Sequence, residues 1–165
     1  MSGVQCATER RVKAVLIPNA IITDIRSKVP TTSGHDEQGG LLLGYRKRGA
    51  LELTSATFPG RWDRATPTLF KRSARGHRIF ALREWLRSGH MIDWIGEWHT
   101  HPGGRAWPSS IDLRGWRATT RHTGKTMVFV IFDAGSHYVG LQSPDRRAVR
   151  MLRLTDSNGQ YSLFA

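Results

Sequence analysis

The sequence predicts one mixed α/β (α+β) domain, a mainly antiparallel sheet flanked by about three helices. Three observations predict it. The chain has 165 residues, the size of one domain. It is 39% hydrophobic, enough for a packed core and too much for a disordered chain. Its periodic segments run strand, helix, strands, helix, strands, helix, strands, with no repeat, low-complexity tract or linker between them. That order suits helices packed on a mixed sheet, one domain over 1–165 with a core of about 14–154.

Lys13 to Ile17 reads as the first strand. Pro18 suits the first position of a helix. Ile21, Ile22, Ile25 and Val29 then recur at helical spacing, and Pro30 stops that helix. The segment from Thr31 to Asp36 is loop. A buried strand runs from Glu37 to about Tyr45, turns at Lys47 to Ala50, and returns as Leu51 to Phe58, a hairpin. Residues 59–67 are irregular, and Thr68 to Lys71 reads as a short strand. Ser73 is placed to cap a helix with the apolar face Ile79, Leu82 and Leu86, flanked by Phe80 and Trp85. Gly89 is its expected terminator. Met91 to His99 is a strand, 102–108 a loop, and Ser109 or Ser110 starts a helix ending near Arg121. Three short strands follow, near Thr126–Asp133, His137–Gln142 and Val149–Leu154.

The formal charge is +12, from 25 Lys and Arg against 13 Asp and Glu. Such a balance suits an acidic partner, nucleic acid or an acidic protein surface. A solvated arginine-rich surface explains it equally, because the arginines are spread along the chain. No apolar run approaches the roughly 20 residues of a membrane helix, and the N-terminus lacks a secretory pattern. The one cysteine, Cys6, excludes an internal disulfide and a thiolate-rich metal site. A reducing cytoplasm is the expected compartment.

Chemistry concentrates between Gly96 and Asp112, G-E-W-H-T-H-P-G-G-R-A-W-P-S-S-I-D. His99 and His101 are two apart at a strand end, so both imidazoles face one side. Pro102 ends the strand, and a short loop leads to a helix whose first turn carries Asp112. Two imidazoles and a carboxylate make a catalytic-type zinc site with the fourth position open to water. Zinc lowers that water's pKa toward about 7. Ser109 and Asp112 also fit a capping box, which accounts for that pair without a metal, and the two readings are compatible.

The string His99 to Asp112 resembles the JAMM signature of the JAB/MPN-plus metalloprotease family: H-x-H-P, five residues, then P-S-x-x-D. Upstream, Glu37-Gln-Gly-Gly-Leu-Leu-Leu-Gly44 resembles that family's other half, a glutamate before a G-x-L-x-G strand. The resemblance spans about Ala14 to Leu154 and is greatest to bacterial stand-alone JAB proteins, including the deconjugating peptidases of CBASS antiphage operons. It implies a JAB/MPN-type domain holding one Zn2+ per chain on His99, His101 and Asp112. Glu37 would take the proton of the attacking water and pass it to the leaving amine, and Ser109 would stabilise the oxyanion. It further implies a deubiquitinase-like isopeptidase. The substrate would be a protein with an extended C-terminal tail, conjugated by an E1–E2-like enzyme. In CBASS that protein is a cGAS/DncV-like nucleotidyltransferase. The strand from Gly39 would pair with the tail, and Gly39 and Gly40 would allow close backbone approach.

Alternatives within the fold are a peptidase for a ubiquitin-like or sulfur-carrier protein, a RadC-like nucleic-acid-associated protein, and an inactive MPN scaffold. The last typically lacks a ligand, and none is missing here. No membrane partner is expected. Glu97 shares a strand face with both histidines and competes with Glu37 as base, or orients a ligand imidazole. Glu37 is preferred because it alone precedes the glycine-rich strand. Trp98 alternates into the core. Trp107 either covers substrate or anchors the loop. His35 either tunes the base or is plain loop, and His77, His90, His122 and His137 have no ligand spacing. Arg61, Arg64, Lys71, Arg72 and Arg75 read best as a solvated loop.

Overall fold

The computed structural model describes residues 11–60, 63–66, 69–71 and 74–165, with backbone alone at 64, 65, 69–71, 74 and 75. Cys6, Arg61, Arg72 and the Ser73 cap lie outside the described residues, as do the side chains of Arg64, Lys71 and Arg75.

The first strand is β1 (Ala14–Pro18), and helix α1 spans Asn19–Lys28. Pro18 closes the strand and serves as the helix N-cap rather than the first helical residue. The helix ends where Val29 turns extended at φ −127°, because the ring of Pro30 disfavours a helical residue before it. Strand β2 is Gly39–Lys47 and β3 is Ala50–Ala56. They are antiparallel and joined through Gly49 at φ +83°, a conformation that suits glycine. Glu37 therefore precedes the strand instead of starting it.

A small ribbon, β4 (Arg64–Thr66) with β5 (Leu69–Lys71), leads to α2 (Ala74–Arg87). Gly89 ends α2 as expected: its N–H bonds Leu86 O, and His90 N–H bonds Trp85 O, the Schellman pattern. Its expected apolar face is not buried: Ile79, Leu82 and Leu86 are each more than half exposed.

The strand carrying the histidines is β6 (Asp93–Thr100), followed by α3 (Ser110–Thr123). Then come β7 (Met127–Phe132) and β8 (His137–Gln142). Short β9 (Arg150–Met151) pairs with β8. A C-terminal hairpin, β10 (Leu154–Ser157) and β11 (Tyr161–Phe164), was not foreseen. The nine-stranded sheet has the order β10-β11-β1-β3-β2-β6-β7-β8-β9. Among the described strands only β1–β3 and β6–β7 are parallel, so the sheet is mainly antiparallel. Among the described residues, no helix is long and apolar enough to cross a membrane.

Alternation along β7 divides the core. Val128, Val130 and Phe132 join the cluster that includes Ile25 of α1, while Met127, Phe129 and Ile131 join Trp116 of α3. Trp116 stacks on Phe129 at 4.6 Å. The same alternation in β6 sends Trp98 inward, 1% exposed and donating its indole N–H to Thr57 O. His99 takes the opposite face, with its ring 6.3 Å from that of Trp116.

His137 lies between the rings of Phe132 and Phe164. Burial, then the charge of Arg26, lowers its pKa from 6.5. The unfolded chain therefore binds this proton first. The stability contributed by His137 is complete above pH 6.5 and is lost as pH falls toward the folded value. A His137→Phe variant is expected to lose less of its urea midpoint on acidification than wild type. An equal loss would refute the assignment.

Candidate metal centre

Three elements converge on one side of the sheet. The end of β6 and the residue after it supply His99 and His101, α3 supplies Asp112, and the segment leading into β2 supplies Glu37. Pairing of Gly39 with His99 sets β2 and β6 in register. Thr100 N–H donates to Gln38 O, and Gln38 N–H donates to Thr100 Oγ1. These bonds lash the Glu37 segment beside the histidines. Glu37 N–H also donates to Thr66 O in β4 at 2.9 Å.

The helix start holds the third group. Ser109 is the N-cap of α3, and the reciprocal capping box is present: Asp112 N–H donates to Ser109 Oγ and Ser109 N–H donates to Asp112 Oδ2. One carboxylate thus caps the helix and faces the imidazoles, so the capping reading holds and leaves Asp112 in place as a candidate ligand.

His99 Nε2 lies 3.0 Å from His101 Nε2, 3.3 Å separates it from Asp112 Oδ1, and His101 Nε2 is 3.5 Å from Asp112 Oδ2. Candidate ligand atoms of His99, His101 and Asp112 all lie within 4.8 Å of one another. A tetrahedral ion bound about 2.0–2.1 Å from each nitrogen requires donor spacings of about 3.3 Å. His101 Nδ1 is 3.0 Å from Arg105 O. A carbonyl only accepts, so Nδ1 carries a proton, and when the ring is neutral Nε2 is the nitrogen left to bind a cation. Two imidazole nitrogens and a carboxylate at such spacing are a donor set that fits a single metal ion.

The Asp112 hydrogen bond raises the His101 pKa against the opposing effect of burial, with help from the Arg105 carbonyl. Burial pushes Asp112 up, but the hydrogen bonds of His101 and His99 outweigh it and hold the carboxyl far below its usual range. Glu37 Oε1 sits 3.9 Å from His101 Nε2, close enough to share the site while lying outside the three-residue ligand group. Ser109 Oγ accepts from Asp112 and retains its own O–H to donate.

The remaining candidates sort as follows. Glu97 lies opposite Leu41 of β2 and Phe129 of β7, on the histidine face of β6. Trp107 is 59% exposed, with its ring edge-on to Tyr138. His35 is exposed, its Nδ1 3.3 Å from Thr32 Oγ1. Strand β2 is not a free edge for a substrate tail beyond Gly40. Leu41 N–H donates to Thr57 Oγ1, Leu41 O accepts from Thr57 N–H, and β3 takes over from Leu42. The close approach that Gly40 permits is internal, since a Cβ there would meet Thr57 O at 2.0 Å and the Trp98 indole at 2.7 Å.

Two arrangements escaped the sequence. His77 is buried and bridges Thr57 Oγ1 and Asp63 Oδ2. Asp133, which reads only as a strand end, accepts from Ala106 N–H in the loop after the histidines. Neither has a spacing signature, because each joins separate segments.

Comparison with known proteins gives the family. Residues 19–152 match the family described as prokaryotic homologs of the JAB domain. A Pseudomonas aeruginosa protein named CD-NTase/cGAS isopeptidase is 34% identical over 118 residues, 70% of this chain and 75% of that protein. An Escherichia coli protein of the same name is 31% identical over 102 residues, 62% of this chain and 65% of that protein. The solution structure of protein DSY2949 from Desulfitobacterium hafniense shares the fold. Its TM-score is 0.59 and its identity 19%, over 80% of this chain and 85% of that one. By its match across most of its length, and by the residues that match gathers on one face of the sheet, this chain belongs to the prokaryotic JAB-domain family.

Proposed function

We propose that this protein is a zinc-dependent isopeptidase. It hydrolyses the amide that joins the C-terminal carboxyl of a conjugated protein to an amine. The observation that carries the reading is the convergence of His99, His101 and Asp112, with Glu37 3.9 Å from His101. The relatives' names support a CD-NTase as the conjugated protein. The pathway is then the reversal of E1–E2-type conjugation in CBASS antiphage defence, in the cytoplasm.

His99, His101 and Asp112 would hold Zn2+, which when bound supplies a Lewis acid for the scissile carbonyl and lowers the pKa of a coordinated water. Glu37 takes the proton of the attacking water and delivers it to the departing amine, so that the C–N bond breaks without an anionic leaving group. Ser109 O–H donates to the oxygen that gains charge as the carbonyl carbon becomes tetrahedral.

The direct test is to incubate the purified protein with a nucleotidyltransferase carrying a C-terminal fusion and follow release by gel and mass spectrometry. Cleavage is expected, and chelation should abolish it. Full turnover after exhaustive metal removal would overturn the mechanism. Ser109→Ala is expected to lower kcat about 10²–10³-fold through the lost donor. It should also cost about 1 kcal/mol of stability through the lost cap. A fall in stability with kcat unchanged would leave Ser109 as a cap alone.

The +12 charge favours nucleic-acid association as a second reading. A gel shift across a salt series tests it: binding that vanishes by moderate salt reflects charge alone.

A further inference from the structure

The loop between β6 and α3 is fixed to the sheet at a second point. His101 N–H donates to Phe132 O at the end of β7. Immediately beyond, Asp133 opens the tight turn into β8. Its Oδ1 accepts from Gly135 N–H and Ser136 N–H, and its Oδ2 accepts from Ser136 Oγ at 2.8 Å. Oδ2 also reaches out of the turn to accept from Ala106 N–H, again at 2.8 Å. Burial acts to raise the Asp133 pKa, but the Ser136 and Ala106 hydrogen bonds prevail and keep the carboxyl ionised.

The Ala106 N–H and the Arg105 C=O belong to one peptide group. The N–H end is held by Asp133. The C=O end accepts from His101 Nδ1 at 3.0 Å, and also from Trp107 N–H at 2.7 Å. A carboxylate on the N–H side polarises the amide and makes its oxygen a stronger acceptor. A stronger acceptor at Nδ1 holds that proton in place, fixes the plane of the ring, and makes Nε2 a better electron-pair donor.

We propose that Asp133 is a positioning residue for the metal centre, acting through the Arg105–Ala106 peptide to fix the tautomer and orientation of His101 and strengthen its grip on a divalent cation. The inference rests on the reading of His101 as a ligand. Its reach exceeds that of an ordinary turn carboxylate. The hydrogen bonds from Gly135 and Ser136 serve the turn, whereas the bond to Ala106 spans 27 residues to a loop that touches a candidate ligand.

The substitution Asp133→Asn separates the two duties. Asn suits the turn, because its carbonyl accepts from following backbone N–H groups as Asp does. Its amide nitrogen replaces Oδ2 and meets the Ala106 N–H donor to donor, while Ser136 Oγ can turn to accept from it. Zinc affinity is measured by competition with a chromophoric chelator, alongside the thermal midpoint of the metal-free protein. The ring tautomer of His101 is read from nitrogen chemical shifts of the metal-free protein at a pH where the rings are neutral. Asp133→Asn is expected to weaken zinc binding about 10–100-fold and reduce the Nδ1–H tautomer, with little change in the metal-free midpoint. Ser136→Ala, which perturbs the turn without touching the peptide, should bind zinc like wild type.

An affinity of Asp133→Asn within about twofold of wild type, or one no weaker than that of Ser136→Ala, overturns the proposal. Should Asp133→Asn fail to fold, Ala106→Pro deletes the donor and leaves the turn carboxylate in place; it carries the same expectation and the same refutation. A wild-type protein that binds no zinc would sink the functional reading and this one together. Zinc binding that splits as expected, without isopeptidase activity, would sink only the former.

Discussion

Glu37→Gln is expected to lower kcat by about 10²–10⁴-fold, the range for loss of a general acid–base group, while the protein still takes up one zinc. The amide is isosteric with the carboxylate and keeps an acceptor oxygen, so contacts to the attacking water persist, but it cannot carry the proton to the leaving amine. Zinc uptake should survive because the proposed ligand group is His99, His101 and Asp112, with Glu37 lying 3.9 Å from His101. Its backbone anchor, the bond from Glu37 N–H to Thr66 O, is untouched by the change. Glu97→Gln is the comparison, since Glu97 lies on the same strand face as His99. That variant should retain most of its turnover. Cleavage rates and metal analysis of the two proteins decide the matter, and the opposite pattern would transfer the base to Glu97.

Asp112→Asn is expected to abolish both zinc binding and turnover. The two imidazoles alone leave the ion without its anionic donor, and nothing replaces it at the head of α3. The clearest readout is thermal. A ligand present at about a thousandfold excess over its Kd stabilises the folded state by about 4 kcal/mol. Wild type should therefore melt higher with zinc, and Asp112→Asn should melt alike with and without it. The Asn carbonyl can still accept from Ser109 N–H, so the helix start is largely kept and a folded variant is expected. Acidity should mimic the mutation in part. The His101 pKa is raised above 6.5, chiefly by Asp112, and the metal needs the neutral ring. Affinity in wild type should then begin to fall above pH 6.5 and keep falling on acidification. A variant that binds zinc as wild type does, or an affinity that ignores pH through this range, would count against the site.

Several features were legible because they are local. The six-residue apolar run of β7 read as a buried strand and is one, with both faces packed. Trp98 and His99, adjacent in sequence, fell on opposite faces because strand side chains alternate. Pro30 and Gly89 ended their helices through backbone restrictions that need no partner. The apolar stripe of α2 misled, since helical periodicity reports a face without saying what covers it, and Ile79, Leu82 and Leu86 stay exposed. The hairpin of β10 and β11 was missed because its strands are four residues each. Such short segments carry little pattern, and β11 is held by pairing with β1, where Val15 meets Phe164. From Leu41 onward β2 is closed to a substrate tail, because Thr57 and β3 occupy its backbone, which no local pattern announces.

Sequence alone named the candidates for the site: His99, His101 and Asp112 from the spacing of one strand end, one loop and one helix start, and Glu37 and Ser109 from the resemblance to the JAB family. It also determined the alternation of strands and helices. Tertiary structure decided how far apart those groups stand and what stands behind them: Asp112 beside two imidazoles, the Glu37 segment lashed in by Thr100, and Asp133 bonded to the peptide whose carbonyl accepts from His101. The division has a physical cause. Periodicity, capping and turns depend on neighbours within a few residues, whereas a hydrogen bond from residue 106 to residue 133 exists only once a parallel pair of strands has brought two distant loops to the same end of the sheet.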